Sequence, residues 1–292
     1  MEEFTYGMLH GVIESKRLIT IKDKRKLVYY YMSKSMFKQF MQYFSPGIYV
    51  FMTVKKVPRT YRGLLVKNVL SIDKILSPSK NNPKVYYDIS IIKIGIKSLI
   101  NQNRFRLFID FEMTMPPYTN YQDFTSEIIQ AGYTLTDNEG KVIDEYQSFI
   151  KPKLHPELSI RTKKFLNISQ EDVDNGKPYP KFHSKITEVL KEYNPLIYVW
   201  GKNDQRELSK LNRLYHLTNF TMHAQFIDLL SLHKTYYGLK NDLGLFNAYN
   251  NYYDSSKSFP QQHDAFEDAQ ITKDIFYAFK DVCNNKRSVK FD

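Results

Sequence analysis

Runs rich in β-branched and aromatic residues at 4–13, 18–21, 26–32, 47–54 and 61–72 predict five strands in the first third of the chain. Between the third and fourth runs, Phe37, Phe40, Met41 and Phe44 recur at helical spacing after Ser33, a suitable N-cap, and Pro46 with Gly47 ends that helix. Ser77, Pro78, Ser79, Asn81, Asn82 and Pro83 then read as a linker, and 84–95 as an added strand, which puts a domain boundary between Leu76 and Asn103. Beyond it the pattern changes. A largely apolar strand at 105–112 ends in two acids, and 126–135 and 142–150 form hairpin partners across Asp137, Asn138, Glu139 and Gly140. Helices are predicted at 157–166, 180–193, 203–214, 226–237, 242–249 and 264–282, with a short buried strand at 196–200. Early strands with helices on both sides imply an α/β sandwich, in which ligands collect beyond the strand ends.

Charge divides the chain in the same place. The net charge is +11, yet residues 1–102 hold 18 Lys and Arg against 6 Asp and Glu, and the remainder holds 24 against 25. A basic region joined to a nearly neutral body points to a polyanion such as nucleic acid, the plainer alternatives being a solvated basic face or contact with anionic lipid. Five strands with a helix after the third resemble a small OB-like β-barrel, a closed sheet that binds oligonucleotides. On that barrel Tyr29, Tyr30, Tyr31, Phe51, Arg59, Tyr61 and Arg62 are candidates to stack on or pair with a single strand, or else to fill the barrel core. No apolar run reaches the roughly 20 residues that cross a bilayer, and Met1, Glu2 and Glu3 make a poor secretory start. A soluble, cytoplasmic protein with no membrane partner is the expectation. The single cysteine, Cys283, excludes an internal disulfide and a thiolate cluster, so any bound metal relies on oxygen or imidazole.

Asp110 and Glu112 stand two apart in a strand, so both carboxylates face one way and Ile109 and Phe111 the other. Two neighbouring acids repel unless solvent or a cation compensates them, so the pair is either a solvated strand end or half of a hard-metal site. Asp204 follows the strand at 196–200 after Gly201, Lys202 and Asn203, where it either reaches the sheet end or caps a helix. The glycine spacing of a P-loop is absent there. Asp264 with Glu267 resembles a capping box, which leaves His263 on the entry loop and Asp268 one turn inside the helix, able to face one pocket. Taken singly, these are also a surface histidine and an acid favoured by the helix dipole.

Asp110-Phe111-Glu112-Met113-Thr114, then Asp204, then His263 through Asp268 resemble, in order, the three motifs of the DEDDh exonucleases, the proofreading-subunit and ribonuclease T superfamily. Asp204 follows Glu112 by 92 residues, and Asp268 follows Asp204 by 64. Thr114-Met115-Pro116 and Val199-Trp200-Gly201 are similar to the branch described as inhibitors of a sporulation-kinase pathway. The resemblance implies a ribonuclease H-like α/β domain with a mixed sheet over 103–285, preceded by the OB-like domain at 1–95, which it does not cover. It also implies that Asp110, Glu112, Asp204 and Asp268 hold two divalent ions, Mg2+ or Mn2+, and that His263 deprotonates the attacking water. Met113 and Thr114 would border the terminal nucleotide, Met113 as a wedge against its base. The substrate would be single-stranded RNA or DNA with a free 3′ end, with a slight lean to RNA, cut to nucleoside 5′-monophosphates. Asn203 replaces the apolar residue common before the third acid. The competing reading is a nucleic-acid-binding or regulatory protein on an inert exonuclease scaffold; retained buried acids without an ion to offset them argue against it.

Overall fold

Val50, Met52 and Val54 are buried while their neighbours along Tyr49–Lys55 are not, and this period of two seats them in the core of the first unit. A computed structural model describes residues 1–23, 26–79, 82–118, 124–239, 241–253 and 263–289, and the chain divides into units Met1–Ile96 and Lys97–Asp292. The first unit contains β1 (Glu2–Ile13), β2 (Leu18–Asp23), β3 (Lys26–Tyr31), α1 (Lys34–Phe40), β4 (Tyr49–Lys55), β5 (Arg59–Tyr61), β6 (Leu64–Ser77) and β7 (Lys84–Asp88). Antiparallel pairing runs β3-β2-β1-β4-β6, and a parallel pairing of Tyr29–Tyr31 with Val66–Asn68 returns β6 to β3, closing the path. Ser33 caps α1 by accepting from the Met36 N–H, as its position predicts, and Met36, Phe37 and Phe40 turn into the core.

The strand predicted at 84–95 is corrected: β7 stops at Asp88, and Ile89–Ile100 is a helix, α2. Asp88 accepts from the Ser90 N–H and hydroxyl, which starts the helix, and Ile89, Ile92, Ile96 and Ile100 fall on one side at helical spacing. That spacing overrides the strand preference of a run of isoleucines.

In the second unit, β8 (Arg106–Met113), β9 (Ile128–Thr136) and β10 (Val142–Lys151) form an antiparallel meander. On its other side β8 pairs in parallel with β12 (Leu196–Val199), and β12 with β13 (Phe226–Asp228). The two-residue β11 (Lys177–Pro178) adds to β10, giving a mixed sheet in the order β11-β10-β9-β8-β12-β13. The helices are α3 (Ile160–Leu166), α4 (Gln170–Asp174), α5 (Tyr179–Tyr193), α6 (Asn203–Leu214), α7 (Leu229–Tyr237), α8 (Leu245–Tyr252) and α9 (Ala265–Cys283). The helix predicted at 226–237 therefore opens as a strand, because Phe226, Ile227 and Asp228 pair with β12 before Asp228 caps α7. Leu107, Ile109 and Phe111 join the core formed with Phe182 and Ile186 of α5 and Leu208 and Leu211 of α6. On the opposite face Phe108 packs with Tyr198 and with Phe276 of α9. The result is the mixed α/β sandwich expected of a ribonuclease H-like domain. Among the described residues, no helix is long and apolar enough to cross a membrane.

Candidate active site

Because Ile109 and Phe111 point into one core, Asp110 and Glu112 point to the face covered by α9. Across the ladder, Asp110 lies opposite Gly132 and Glu112 opposite Gln130. Gly132 decides how close α9 comes: a Cβ there would stand 2.3 Å from the backbone N and Cα of Phe266. Glycine in a strand interior thus lets the first turn of α9 rest on the sheet backbone beside the two acids. Gln130 fixes that turn. Its amide donates to Asp264 Oδ2 at 2.6 Å and its carbonyl oxygen accepts from the Ala265 N–H at 3.2 Å, while the Gln147 amide donates to Asp264 Oδ2 at 3.1 Å. Asp264 in turn accepts from the Phe266 and Glu267 N–H groups, both at 3.0 Å. Asp264 is the N-cap, but the return bond from Glu267 that a capping box needs is absent among the described residues; the two glutamines bind Asp264 instead.

Asp204 arrives from another direction. Gly201, at φ +105°, turns the chain out of β12 into α6, and Asp204 is buried in the first turn. It is not a cap: Lys202 occupies the N-cap position, and its side chain makes no capping bond.

The electrostatics of these groups are strained. Asp110 keeps some surface open to solvent, yet the protein packed around its carboxyl raises its pKa well above the ordinary range, and the charges of Asp204, Asp268 and Glu112 raise it further. Burial, then Asp268 and Asp204, pushes Glu112 up to about 8. Burial is also the main cause that brings Asp204 and Asp268 to about 7; the backbone of Asp204 and Phe111 opposes the rise at Asp204, and Asp264 and Glu267 add to it at Asp268. Ligand atoms of Glu112, His263 and Asp268 all lie within 4.8 Å of one another, with His263 Nδ1 3.8 Å from Glu112 Oε1. Asp268 Oδ1 is buried without a hydrogen-bond partner among the described residues. A buried acceptor left bare among repelling carboxylates is unfavourable unless a cation completes it, and an all-oxygen set with one imidazole suits a hard divalent ion. The donor set therefore fits a divalent metal.

Other predicted residues are placed differently. Met113 is half-buried against the sheet core, and the Thr114 hydroxyl accepts from the Glu127 N–H at 2.9 Å while facing a cavity of about 320 Å³ shared with Met115, Phe124, His155 and Ile160. In the first unit, Tyr31 and Tyr61 meet with ring centroids 4.6 Å apart, and the Arg59 guanidinium covers both, at 4.8 and 5.4 Å. Arg62 covers Tyr61 at 5.6 Å. Phe51 belongs to a separate group, stacked on Tyr6 at 5.2 Å; Tyr29 is half-buried, and Tyr30 lies in the core. Sequence reasoning missed Gln130, Gly132 and Gln147, although a lone glycine inside a strand pattern was a visible sign of close backbone approach. It also missed Glu127, a buried carboxylate that accepts from the Lys153, Leu154 and His155 N–H groups at 2.7, 2.7 and 3.0 Å. It missed Arg17 as well, which donates to the Tyr31 hydroxyl at 2.9 Å.

Buried acids converging beyond the strands of a mixed sheet, with an imidazole at their edge, define a metal-dependent hydrolase site. A model of the RNase T exonuclease family matches residues 107–276. The chain is 34% identical over 171 residues to the probable 3′-5′ exonuclease KapD of Bacillus subtilis (strain 168), covering 58% of this chain and 82% of that protein. The nuclease domain of 3′hExo, a DEDDh family member solved with rAMP bound, aligns with a TM-score of 0.55 at 18% identity, over 65% of this chain and 98% of that one. A full-length 3′-exonuclease aligns with a TM-score of 0.54 at 19% identity, over 65% and 88%. The chain belongs to the RNase T exonuclease family. It is a DEDDh-type 3′-5′ exonuclease whose activity depends on divalent metal.

Proposed function

We propose that the protein removes nucleoside 5′-monophosphates from the free 3′ end of single-stranded RNA or DNA, with Asp110, Glu112, Asp204 and Asp268 holding two divalent ions, Mg2+ or Mn2+. The observation that carries this reading is Asp268, whose buried Oδ1 has no hydrogen-bond partner among the described residues and whose carboxylate offers a ligand atom within 4.8 Å of those of Glu112 and His263. When bound, the ions supply a more acidic water and offset the charge that builds on the scissile phosphate. His263 takes the proton as the water oxygen bonds to phosphorus and the bond to the 3′ oxygen breaks, and the departing oxygen takes a proton from solvent, leaving a shortened strand with a 3′-hydroxyl. Burial lowers the pKa of His263, so its imidazole is neutral and able to accept at physiological pH. Thr114, two residues beyond Glu112, borders the terminal nucleotide from the cavity it lines, and Met113, packed against the sheet core, is the weaker candidate for that contact.

Residues 1–95 serve as an OB-like nucleic-acid-binding domain before an exonuclease domain at 103–285. The closed strand path with α1 between β3 and β4 supports the barrel reading. The joined Tyr31, Arg59, Tyr61 and Arg62 side chains offer ring faces for bases and guanidinium groups for phosphates. Tyr29 and Phe51 are weaker candidates for the same strand. Matched 5′-labelled RNA and DNA, single-stranded and duplex, incubated with Mg2+, Mn2+ or chelator, test the reading. Stepwise 3′ shortening of both single strands, abolished by chelator, is expected; metal-independent products or none would overturn it.

A further inference from the structure

α3 faces two ways. Thr162 and Leu166 are buried, whereas Phe165 is 51% exposed and adds little to the core. Its ring nevertheless has a defined partner: it lies on the His263 imidazole, with centroids 4.4 Å apart and planes inclined by 21°. The helix that bears it is tied to the end of the acid-bearing strand. The Met115 N–H donates to the Thr162 hydroxyl at 2.9 Å, and the Ser159 hydroxyl donates to the Met115 carbonyl at 2.9 Å. Ser159 also caps α3, accepting from the Thr162 N–H at 3.0 Å. Met115 is three residues beyond Glu112, whose Oε1 is 3.8 Å from His263 Nδ1. A closed circuit of contacts therefore runs from Glu112 along the chain to Met115, across to α3, through Phe165 to His263, and back to Glu112.

His263 needs such a support. The hydrogen bonds of Asp264 fix the backbone where α9 begins, but they leave the two side-chain torsions of the preceding histidine free. An aromatic face against the imidazole removes most of that freedom, because turning the ring out of plane would break the stack.

We infer that Phe165 is a positioning residue: stacked on His263, it holds the imidazole at the angle from which its ring nitrogen meets the attacking water. This rests on the assignment of His263 as the base. Phe165→Ala is expected to lower kcat about three- to tenfold, the population bias that one aromatic pair supplies, with KM within about twofold. Phe165→Leu, similar in bulk but without a ring face, should lose as much, and Phe165→Tyr should restore the rate.

The test uses full-length protein, with thermal unfolding confirming that each variant is folded. Single-turnover shortening of a 5′-labelled oligonucleotide is measured for the Phe165 variants in the natural and His263→Ala backgrounds. A residue acting only through the imidazole adds no loss once the imidazole is gone. An equal further loss in the His263→Ala background, or an effect confined to KM, would overturn the inference by placing Phe165 on the nucleic acid itself. A readout independent of activity is the NMR shift of the His263 ring protons, assigned by their disappearance in His263→Ala. Upfield ring-current shifts should be present in the natural protein and Phe165→Tyr and lost in Phe165→Leu; shifts unchanged in Phe165→Leu would refute the stack. Normal turnover in His263→Ala would instead sink the base assignment, and this inference with it.

Discussion

Asp268→Asn should make the metal-free protein more stable at alkaline pH while removing much of its response to divalent cations. Asp268 has a pKa of about 7 in the folded protein, raised from 3.8 chiefly by burial. Between those values the folded state keeps a proton that the unfolded chain releases. The unfolded state thus binds fewer protons, and stability falls as pH rises from about 4 through 7. Glu112 at about 8 and Asp204 at about 7 act with the same sign. A full separation of this size corresponds to roughly 4 kcal/mol for Asp268 alone, an upper bound because the site relaxes when charged. Asparagine removes that charge at nearly constant volume, so a gain of about 1–3 kcal/mol is expected at pH 8 in chelator, a rise in Tm of several degrees. Thermal unfolding is followed from pH 5 to 8.5 with chelator, then with Mn2+ or Mg2+ added. In chelator the natural protein should melt progressively lower toward pH 8 and the variant should fall less. With metal, the natural protein should recover and the variant should gain little. If the metal-free natural protein instead grew more stable over this range, and Asp268→Asn gave no gain at pH 8, the charge-repulsion account of the site would be wrong.

His263→Ala should lower turnover by on the order of 10² to 10⁴ while preserving thermal stabilisation by Mn2+, since the carboxylates remain; wild-type turnover with an unchanged neutral-pH limb would exclude the histidine as base. Arg59→Ala with Arg62→Ala should weaken binding to long single strands and flatten the salt dependence of affinity, with little change on a dinucleotide; an unaltered slope would remove these arginines from the phosphate track. Gly132→Ala should lower both Tm and turnover, because its Cβ would fall 2.3 Å from Phe266 backbone atoms; a stable, fully active variant would show that α9 can shift without consequence.

How much of this the chain discloses depends on the range of the interactions. Alternation along Tyr49–Lys55 and the apolar run of β8 reflect burial of nearest neighbours, so strand positions and the shared face of Asp110 and Glu112 could be read locally. The Ile-rich stretch after Asp88 misled because its composition favours a strand while its spacing favours a helix, and the Asp88–Ser90 bonds that start the helix are a weak local mark. The barrel aromatics were legible as a set but not as a grouping. Tyr31 and Tyr61 meet only because β6 returns to pair with β3, while Phe51 lies on β4 against β1. Sequence order cannot show that division.

The acidic site marks the same limit more sharply. Its carboxylates were conspicuous because acids in apolar surroundings are unfavourable and stand out from the pattern. What brings them together was not conspicuous, because it is mostly an absence of atoms. Gly132 leaves room for backbone to touch backbone, Gln130 spans from β9 to the start of α9, and Gly201 turns Asp204 inward. None of the three carries charge, yet each sets a distance or direction on which the charged groups depend. If β9 had a side chain at 132, the first turn of α9 would have to lift, and with it Asp268 and His263, while Asp110 and Glu112 stayed on β8. The acids would then keep their desolvation without their shared centre. The convergence of this site is therefore a property of backbone clearance, which is why motif spacing could name its members but not the contacts that hold them in place.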